Sequence, residues 1–176
     1  MTRIDAIRLD EAEGRARELL DEVVAHGGDP GPMVRTMARA PALLRGYLDL
    51  SRAMKRSHID RPTVERINLA VHGHLDCDYC IVAHTRAARA LGVPESEIEL
   101  ALRGTSSDPP IAALVAFAVQ ALTKPDEIGD ADLERLHEHG YDDEQIAEVA
   151  GLVALQLLTG SFNLIAGIHA TPGSET

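Results

Sequence analysis

The sequence predicts an all-α domain. Apolar residues recur at intervals of three and four along most of the chain, which is typical of helices with one buried face. No stretch alternates apolar and polar residues in the way that a half-buried strand requires. Prolines and glycines stand between the apolar runs, where they begin and end helices. With 176 residues, the chain is expected to form a single domain over residues 1–176.

Proline and glycine delimit the helices of the first half. The first apolar run stops before a Gly-Gly-Asp-Pro-Gly-Pro segment, which ends a helix. Pro41 and Pro62 each precede an apolar run and suit the first turn of a helix. Four helices are therefore expected here: Asp10–His26, Met33–Arg39, Ala42–Arg56 and one from Pro62 to near His74 or Leu75.

The helices of the second half follow the same logic. Asp76 is expected to cap the N-terminus of a helix that carries Cys77 to Leu91 and ends at Gly92. The short polar tail at residues 171–176 is expected to be flexible. The remaining helices are expected at Ser96 to about Arg103, Ile111–Leu122, Asp130–His139 and Asp142 to about His169.

The last of these helices contains a stretch that raises the possibility of a membrane span. Residues 151–170 include no Asp, Glu, Lys or Arg over 20 positions. Gln156, Thr159 and Asn163 interrupt the stretch, and glycine and alanine are frequent in it. A buried central helix or a subunit interface is the better interpretation, so no contact with a membrane is expected.

The charge balance and the N-terminus narrow the class of protein. A formal net charge of −11 argues against binding to nucleic acid or to anionic membranes, because both depend on cationic side chains. The first residues lack the apolar segment of a signal peptide, so a cytoplasmic location is expected. In a reducing compartment, two closely spaced cysteines favour catalysis or metal binding over a structural disulfide.

The only two cysteines, Cys77 and Cys80, stand three residues apart, and His84 follows four residues later. At about 100° per residue, the three side chains share one face of a helix. A helix N-terminus favours the reactive thiolate, and a second sulfur nearby can close a disulfide with an oxidised first one. Asp76 and Asp78 disfavour the thiolate, so His84 is the candidate that accepts the thiol proton.

Two other interpretations of the cysteines remain open at this point. One is a pair of ordinary core residues. The other is a zinc site in which Cys77, Cys80 and His84 supply three ligands and His72 or His74 the fourth. We expect these two histidines to be exposed at the end of a helix rather than to line the pocket around the cysteines.

An orienting carboxylate for His84 is available on the preceding helix. A histidine that relays protons usually has such a partner. Glu65 lies twelve residues before Cys77, and two antiparallel helices joined by a turn near Asp76 would bring it alongside His84. From the pattern alone Glu65 is one of 28 acidic residues, and a solvated surface charge is the alternative interpretation.

Taken together, these residues resemble a known family. Glu65, the motif Cys77-x-x-Cys80-x-x-x-His84 and the following Leu91-Gly92-Val93 look like the alkyl hydroperoxidase D core, the redox branch of the carboxymuconolactone decarboxylase superfamily. A later acidic segment at residues 140–146, followed by an apolar helix, is similar to the family's second half. The resemblance covers residues 41–168.

The resemblance implies an all-α fold with a helical-hairpin core, assembled as trimers or hexamers. It also implies a thiol-dependent peroxidase or disulfide reductase that needs no cofactor and acts on a hydroperoxide with an external dithiol as electron donor. Cys80 matches the attacking thiol, Cys77 the thiol that closes the disulfide, and His84 with Glu65 the proton relay. Tyr79 departs from the best-studied members, which have a histidine between the cysteines.

Two competing functions follow from the same sequence. The non-redox branch of the superfamily decarboxylates or isomerises lactones, although its members do not resemble this chain at the cysteine motif. A non-catalytic helical protein that senses redox state or binds zinc through its cysteines is the other alternative.

Overall fold

The computed structural model describes residues 2–26 and 28–170, and over these residues the all-α prediction is confirmed. They contain nine α-helices and no strand. The expected tail at residues 171–176 lies outside the described residues. The helices are α1 (Gly14–Ala25), α2 (Pro32–Met37), α3 (Pro41–Met54), α4 (Arg61–Leu75), α5 (Asp78–Ala90), α6 (Glu95–Leu102), α7 (Pro109–Thr123), α8 (Asp130–Glu138) and α9 (Asp143–Ala166).

The first helix begins later than predicted. A single 3₁₀ turn occupies Leu9–Glu11, and α1 starts only at Gly14. Between them the backbone is extended at Ala12, which turns that side chain into the apolar cluster formed by α1, α2 and α3. Gly14 then adopts a left-handed backbone with φ of 52°, which interrupts the helical run that the spacing suggested.

The last helix has the capping residues that its sequence predicts at the start, but it ends early. The carboxylate of Asp142 accepts a hydrogen bond from the backbone N–H of Gln145 at 2.9 Å, and the Gln145 side chain accepts one from the Asp142 N–H. At the other end Gly167 adopts a left-handed backbone with φ of 67°, which stops the helix before His169.

Helix α4 lies at the centre of the fold and packs against α5, α6, α7 and α9. Ile67 and Val71 of α4 share one buried apolar cluster with Leu114 and Val115 of α7 and Leu152 of α9. Helix α9 is long and apolar enough to cross a membrane, but half of its most apolar stretch is buried inside the protein. Its contacts with α3, α4 and α7 make it a core helix.

The approach of α6 to α4 is close enough to require a glycine. A Cβ atom added to Gly73 of α4 would lie 2.6 Å from the backbone oxygen of Leu102. Such a distance is well below van der Waals contact, so any side chain here would push the two helices apart. The glycine thereby allows the end of α6 to pack directly against the backbone of α4.

Candidate active site

The turn between α4 and α5 carries the cysteine motif, and it differs from the prediction by one residue. Asp76 is not the N-cap of α5; it ends α4 in a left-handed conformation, with φ of 55° and ψ of 41°. Aspartate is one of the few residues other than glycine that tolerates this conformation. Cys77 is therefore the N-cap, and α5 begins at Asp78.

The two cysteines are joined in a disulfide, with their Cα atoms 5.3 Å apart. Cys77 is fully buried and Cys80 is 4% exposed, and Cys80 lines a cavity of about 330 Å³. The sulfurs thus face each other and do not point apart into the core as ordinary core cysteines would. Asn163 of α9 donates a hydrogen bond from Nδ2 to Sγ of Cys80 at 3.3 Å.

Glu65 and His84 are brought together by the antiparallel packing of α4 and α5. The Oε2 atom of Glu65 lies 2.7 Å from Nδ1 of His84, and Asn68 donates to the same oxygen at 3.3 Å. Glu65 is 5% exposed, which rules out a solvated surface charge. Burial raises the pKa of the Glu65 carboxyl, but the hydrogen bonds from His84 and Asn68 and the charge of Arg61 outweigh it, so the pKa lies below its usual range.

His72 occupies a position that the sequence did not predict. It was expected at an exposed helix end, as His74 in fact is, but it is fully buried. Its ring stacks on the ring of His84 with a centroid distance of 5.0 Å and an interplanar angle of 17°. A nitrogen of the same ring lies within 4.8 Å of both cysteine sulfurs.

The surroundings of His72 keep its ring uncharged. Nε2 lies 2.9 Å from the amide oxygen of Gln156, so it carries the proton and donates it. Nδ1 then holds a lone pair, and it has no hydrogen-bond partner among the described residues. Burial, together with the nearby charge of His84, lowers the pKa of His72 to about 3.

These positions change the ligand set of the zinc alternative. His72, Cys77 and Cys80 form the group with metal-ligand atoms within 4.8 Å of one another, and His74 is exposed. In the disulfide the two sulfurs are bonded to each other, so a metal ion would need the reduced pair. A second group of three possible ligands is formed by His58, Glu144 and Glu148, of which His58 and Glu144 are exposed.

Helix α9 closes the other side of the site with polar side chains. Gln156, Thr159 and Asn163 are all buried, and all three line the cavity. Sequence reasoning gave Asn163 no catalytic role and missed its contact with Cys80. The spacing of three and four residues puts these polar groups on one face of an otherwise apolar helix, and that pattern could have identified them.

Gly160 provides a testable feature of this packing. A Cβ atom there would lie 2.8 Å from Cδ1 of Leu75 and 3.2 Å from Nδ1 of His72. We expect Gly160→Ala to lower the free energy of unfolding by about 1–3 kcal/mol, because the core is overpacked at this point. Chemical denaturation of the oxidised protein measures it.

Gly46 is the matched control for this substitution. It lies in the exposed part of α3, and an added Cβ would meet nothing within 4 Å. Gly46→Ala is expected to be neutral or stabilising by up to about 1 kcal/mol, since alanine favours a helix more than glycine does. Equal losses of stability in both variants would show that the effect of Gly160→Ala does not arise from contact with His72 and Leu75.

The comparisons with known proteins agree with this architecture. The model of the carboxymuconolactone decarboxylase family matches residues 41–116, which span α3 to the first half of α7 and include the whole cysteine motif. No curated protein matches the chain.

Several solved structures have the same fold. An uncharacterised peroxidase-related protein from Ralstonia eutropha JMP134, described as an alkylhydroperoxidase AhpD core, is 23% identical, covers 99% of this chain and 94% of its own, and gives a TM-score of 0.84. A second peroxidase-related protein, from Silicibacter sp. TM1040, is 20% identical with a TM-score of 0.80, covering 98% of this chain and 95% of its own.

A third neighbour has a different named activity. A cysteine-to-alanine variant of the debrominase Bmp8, in complex with 2,3,4-tribromopyrrole, is 18% identical with a TM-score of 0.77, covering 99% of this chain and 94% of its own. The fold alone therefore does not distinguish between these reactions. The family model thus matches the cysteine-bearing helices, and the fold of the chain is similar to that of AhpD-like proteins.

Proposed function

We propose that this protein is a thiol-dependent hydroperoxide reductase that cycles between the reduced and disulfide forms of Cys77 and Cys80. One observation carries the proposal. A cysteine able to form a disulfide lines a cavity whose wall also holds His84 and the buried Glu65 to which it is hydrogen-bonded. A nucleophile, a group that can accept its proton and a space for a small molecule thus meet at one point.

The position of the two cysteines relative to the cavity supports their division of labour. Cys80 lines the cavity and Cys77 is fully buried behind it. The thiolate of Cys80 attacks the terminal oxygen of the hydroperoxide, the O–O bond breaks, and Cys80 becomes a sulfenic acid. The leaving alkoxide takes a proton from His84 and departs as an alcohol, so the organic product is one oxygen poorer.

The second half of the cycle restores the site. The Cys77 thiol attacks the sulfenic sulfur of Cys80, and the disulfide forms with release of one water molecule. An external dithiol then reduces the disulfide by two exchange steps and is itself oxidised to a disulfide. Two electrons therefore pass from the dithiol to the hydroperoxide in each cycle, and no organic or metal cofactor is required.

Two polar side chains support thiolate formation at Cys80. Asn163 donates a hydrogen bond to its sulfur, which favours the charged form over the neutral thiol. Glu65 carries a carboxylate beside His84 and stabilises that ring when it holds a proton. The pKa of Glu65 is lowered, so this carboxylate stays ionised across the neutral range.

The proposal includes a cellular setting. A dithiol donor is available in a reducing compartment, so we propose a cytoplasmic location. We also propose a homo-oligomer, a trimer or hexamer, because Leu157 and Ile165 of α9 are 43% and 64% exposed. Burial of these apolar side chains against another copy would remove them from water.

The experiment that tests the function counts thiols. The reduced protein is treated with one equivalent of cumene hydroperoxide, and free thiols are titrated before and after, with and without a chelator. We expect the loss of two thiols per chain and the formation of one equivalent of cumyl alcohol. With dithiothreitol present, the alcohol should continue to form catalytically.

Glu65→Gln serves as the variant that isolates the relay. It removes the negative charge and retains the shape, so we expect the same thiol stoichiometry at a rate lower by at least about tenfold. Unchanged thiols in the wild-type protein would contradict the redox function. Metal recovered at one ion per chain would favour the zinc-binding alternative, and bromide release from 2,3,4-tribromopyrrole faster than peroxide turnover would favour dehalogenation.

A further inference from the structure

The charges around the cavity differ in sign from the charge of the protein as a whole. The chain has a formal net charge of −11, yet the charged residues that line the cavity are Lys55, Arg61 and Glu65. Glu65 is buried and hydrogen-bonded to His84, so it does not face an incoming molecule as a free anion. Both cations are exposed.

Lys55 is the more available of the two cations. Its ammonium group makes no ion pair with any other residue in the described ranges, whereas Arg61 lies 3.9 Å from Oε1 of Glu65. An exposed cation at the edge of a largely apolar, partly enclosed space attracts anions more strongly than one on an open surface, because the apolar walls of the cleft focus its electric field. The exposed end of the cavity is therefore suited to a negatively charged group.

The remainder of the wall is suited to hydrocarbon. Met33, Met54, Val64, Leu152 and Leu155 contribute apolar surface to the cavity that Lys55, Arg61 and Cys80 also line. Methionine side chains adapt to ligands of different shape, which suits a site for an organic molecule more than one for hydrogen peroxide alone. The volume of about 330 Å³ admits a ligand of roughly the size of a substituted aromatic ring.

We infer that the substrate is an apolar organic hydroperoxide that carries an anionic group, such as a carboxylate, and binds with this group at Lys55 and its peroxide at Cys80. The inference rests on the proposed function, since it assigns a substrate class to the same site. The anionic group takes no part in the reaction. The hydroperoxide group is reduced to the hydroxyl, and the product is the corresponding hydroxy acid anion with one molecule of water from disulfide closure.

A matched pair of substrates tests the charge preference. One is cumene hydroperoxide with a carboxylate para to the side chain, and the other is its methyl ester, which is similar in shape and uncharged. The measured quantity is the ratio of kcat/KM for the carboxylate to that for the ester, with dithiothreitol as the donor. We expect a ratio above about 3 for the wild-type protein, falling toward 1 at high salt.

Substitutions at Lys55 should change this ratio in a graded way. We expect Lys55→Gln to lower it about threefold and Lys55→Glu about tenfold, because the second change replaces attraction by repulsion. Arg56→Gln is the control, since Arg56 is the neighbouring exposed cation and does not line the cavity. It removes the same charge and should leave the ratio as in the wild type.

The outcomes separate this inference from the proposed function. Turnover of the ester and the carboxylate at equal rates in all variants would overturn the anionic substrate class and leave the reductase function intact. If neither compound is turned over, the reductase function fails, and calorimetric binding of the two corresponding alcohols to Cys80→Ser decides the charge preference instead. The inference is supported if the carboxylate alcohol binds more tightly than the ester alcohol and if Lys55→Gln weakens that binding. Equal binding of the two alcohols overturns it.

Discussion

Cys80→Ser is expected to abolish hydroperoxide turnover, by at least about 10³-fold in kcat/KM. A serine hydroxyl is not ionised near neutral pH, so it lacks the nucleophile that breaks the O–O bond. Because Cys80 lines the cavity, the substitution removes the thiol that we expect to contact the substrate. Consumption of cumene hydroperoxide, followed by formation of cumyl alcohol, measures the effect.

Cys77→Ser is the matched control, because it removes the other sulfur from the same disulfide. This variant is expected to reduce one equivalent of hydroperoxide and then stop, since no thiol remains to close the disulfide. The product should carry a sulfenic acid on Cys80, detected by mass spectrometry after labelling with a sulfenic-acid reagent. Single turnover by Cys80→Ser and none by Cys77→Ser would mean that the roles of the two cysteines are reversed.

The folded protein is expected to lose several kcal/mol of stability as the pH falls from about 6.5 to about 3, because of His72. Its pKa is about 3 in the folded state and has its ordinary value of 6.5 in the unfolded chain. At pH values between these two pKa values, His72 is protonated in the unfolded state and neutral in the folded state, so acid favours unfolding. The contribution of this one group has an upper limit of about 5 kcal/mol.

His72→Asn isolates this contribution. Asparagine retains a polar group beside Gln156 but has no proton to gain in this range. Urea unfolding of the oxidised protein at several pH values should show a shallower loss of stability in the variant. Glu65 acts in the same direction at lower pH, because its pKa is lowered in the folded state, so the difference between wild type and variant is the quantity to compare.

His74→Asn is the control for the pH series, since it removes an exposed imidazole from the same helix. It should retain the pH dependence of the wild type. A variant at His72 that also retains the full dependence would show that this ring is not kept uncharged in the folded protein.

The sequence was sufficient for the fold class because helix periodicity, capping residues and the positions of proline are local signals. Pro41 opens α3, and Asp142 caps α9 with Gln145. The approach of Glu65 to His84 could also be expected, because a short turn between two helices forces them to run antiparallel. The Glu65–His84 pair could therefore be predicted because its two residues lie on consecutive helices.

The parts of the site that could not be predicted come from long-range packing. Asn163 contacts Cys80 across 83 residues, and His72 contacts Gln156 across 84. Whether a histidine near a helix end is buried depends on what lies over it, and here Gly160 of α9 makes room for the ring. The left-handed Asp76 was missed because the choice between ending one helix and starting the next depends on how α4 and α5 meet.

The placement of Cys80 at the cavity and of Cys77 behind it also has a kinetic consequence. In the proposed cycle, the hydroperoxide and the dithiol both react at Cys80 and use the same cavity, so the two cannot bind there at the same time. The protein would then react alternately with the hydroperoxide and with the dithiol. An excess of either reactant would slow the reaction of the other. The best-suited electron donor would be a narrow, extended dithiol that can enter the cavity once the alcohol product has left.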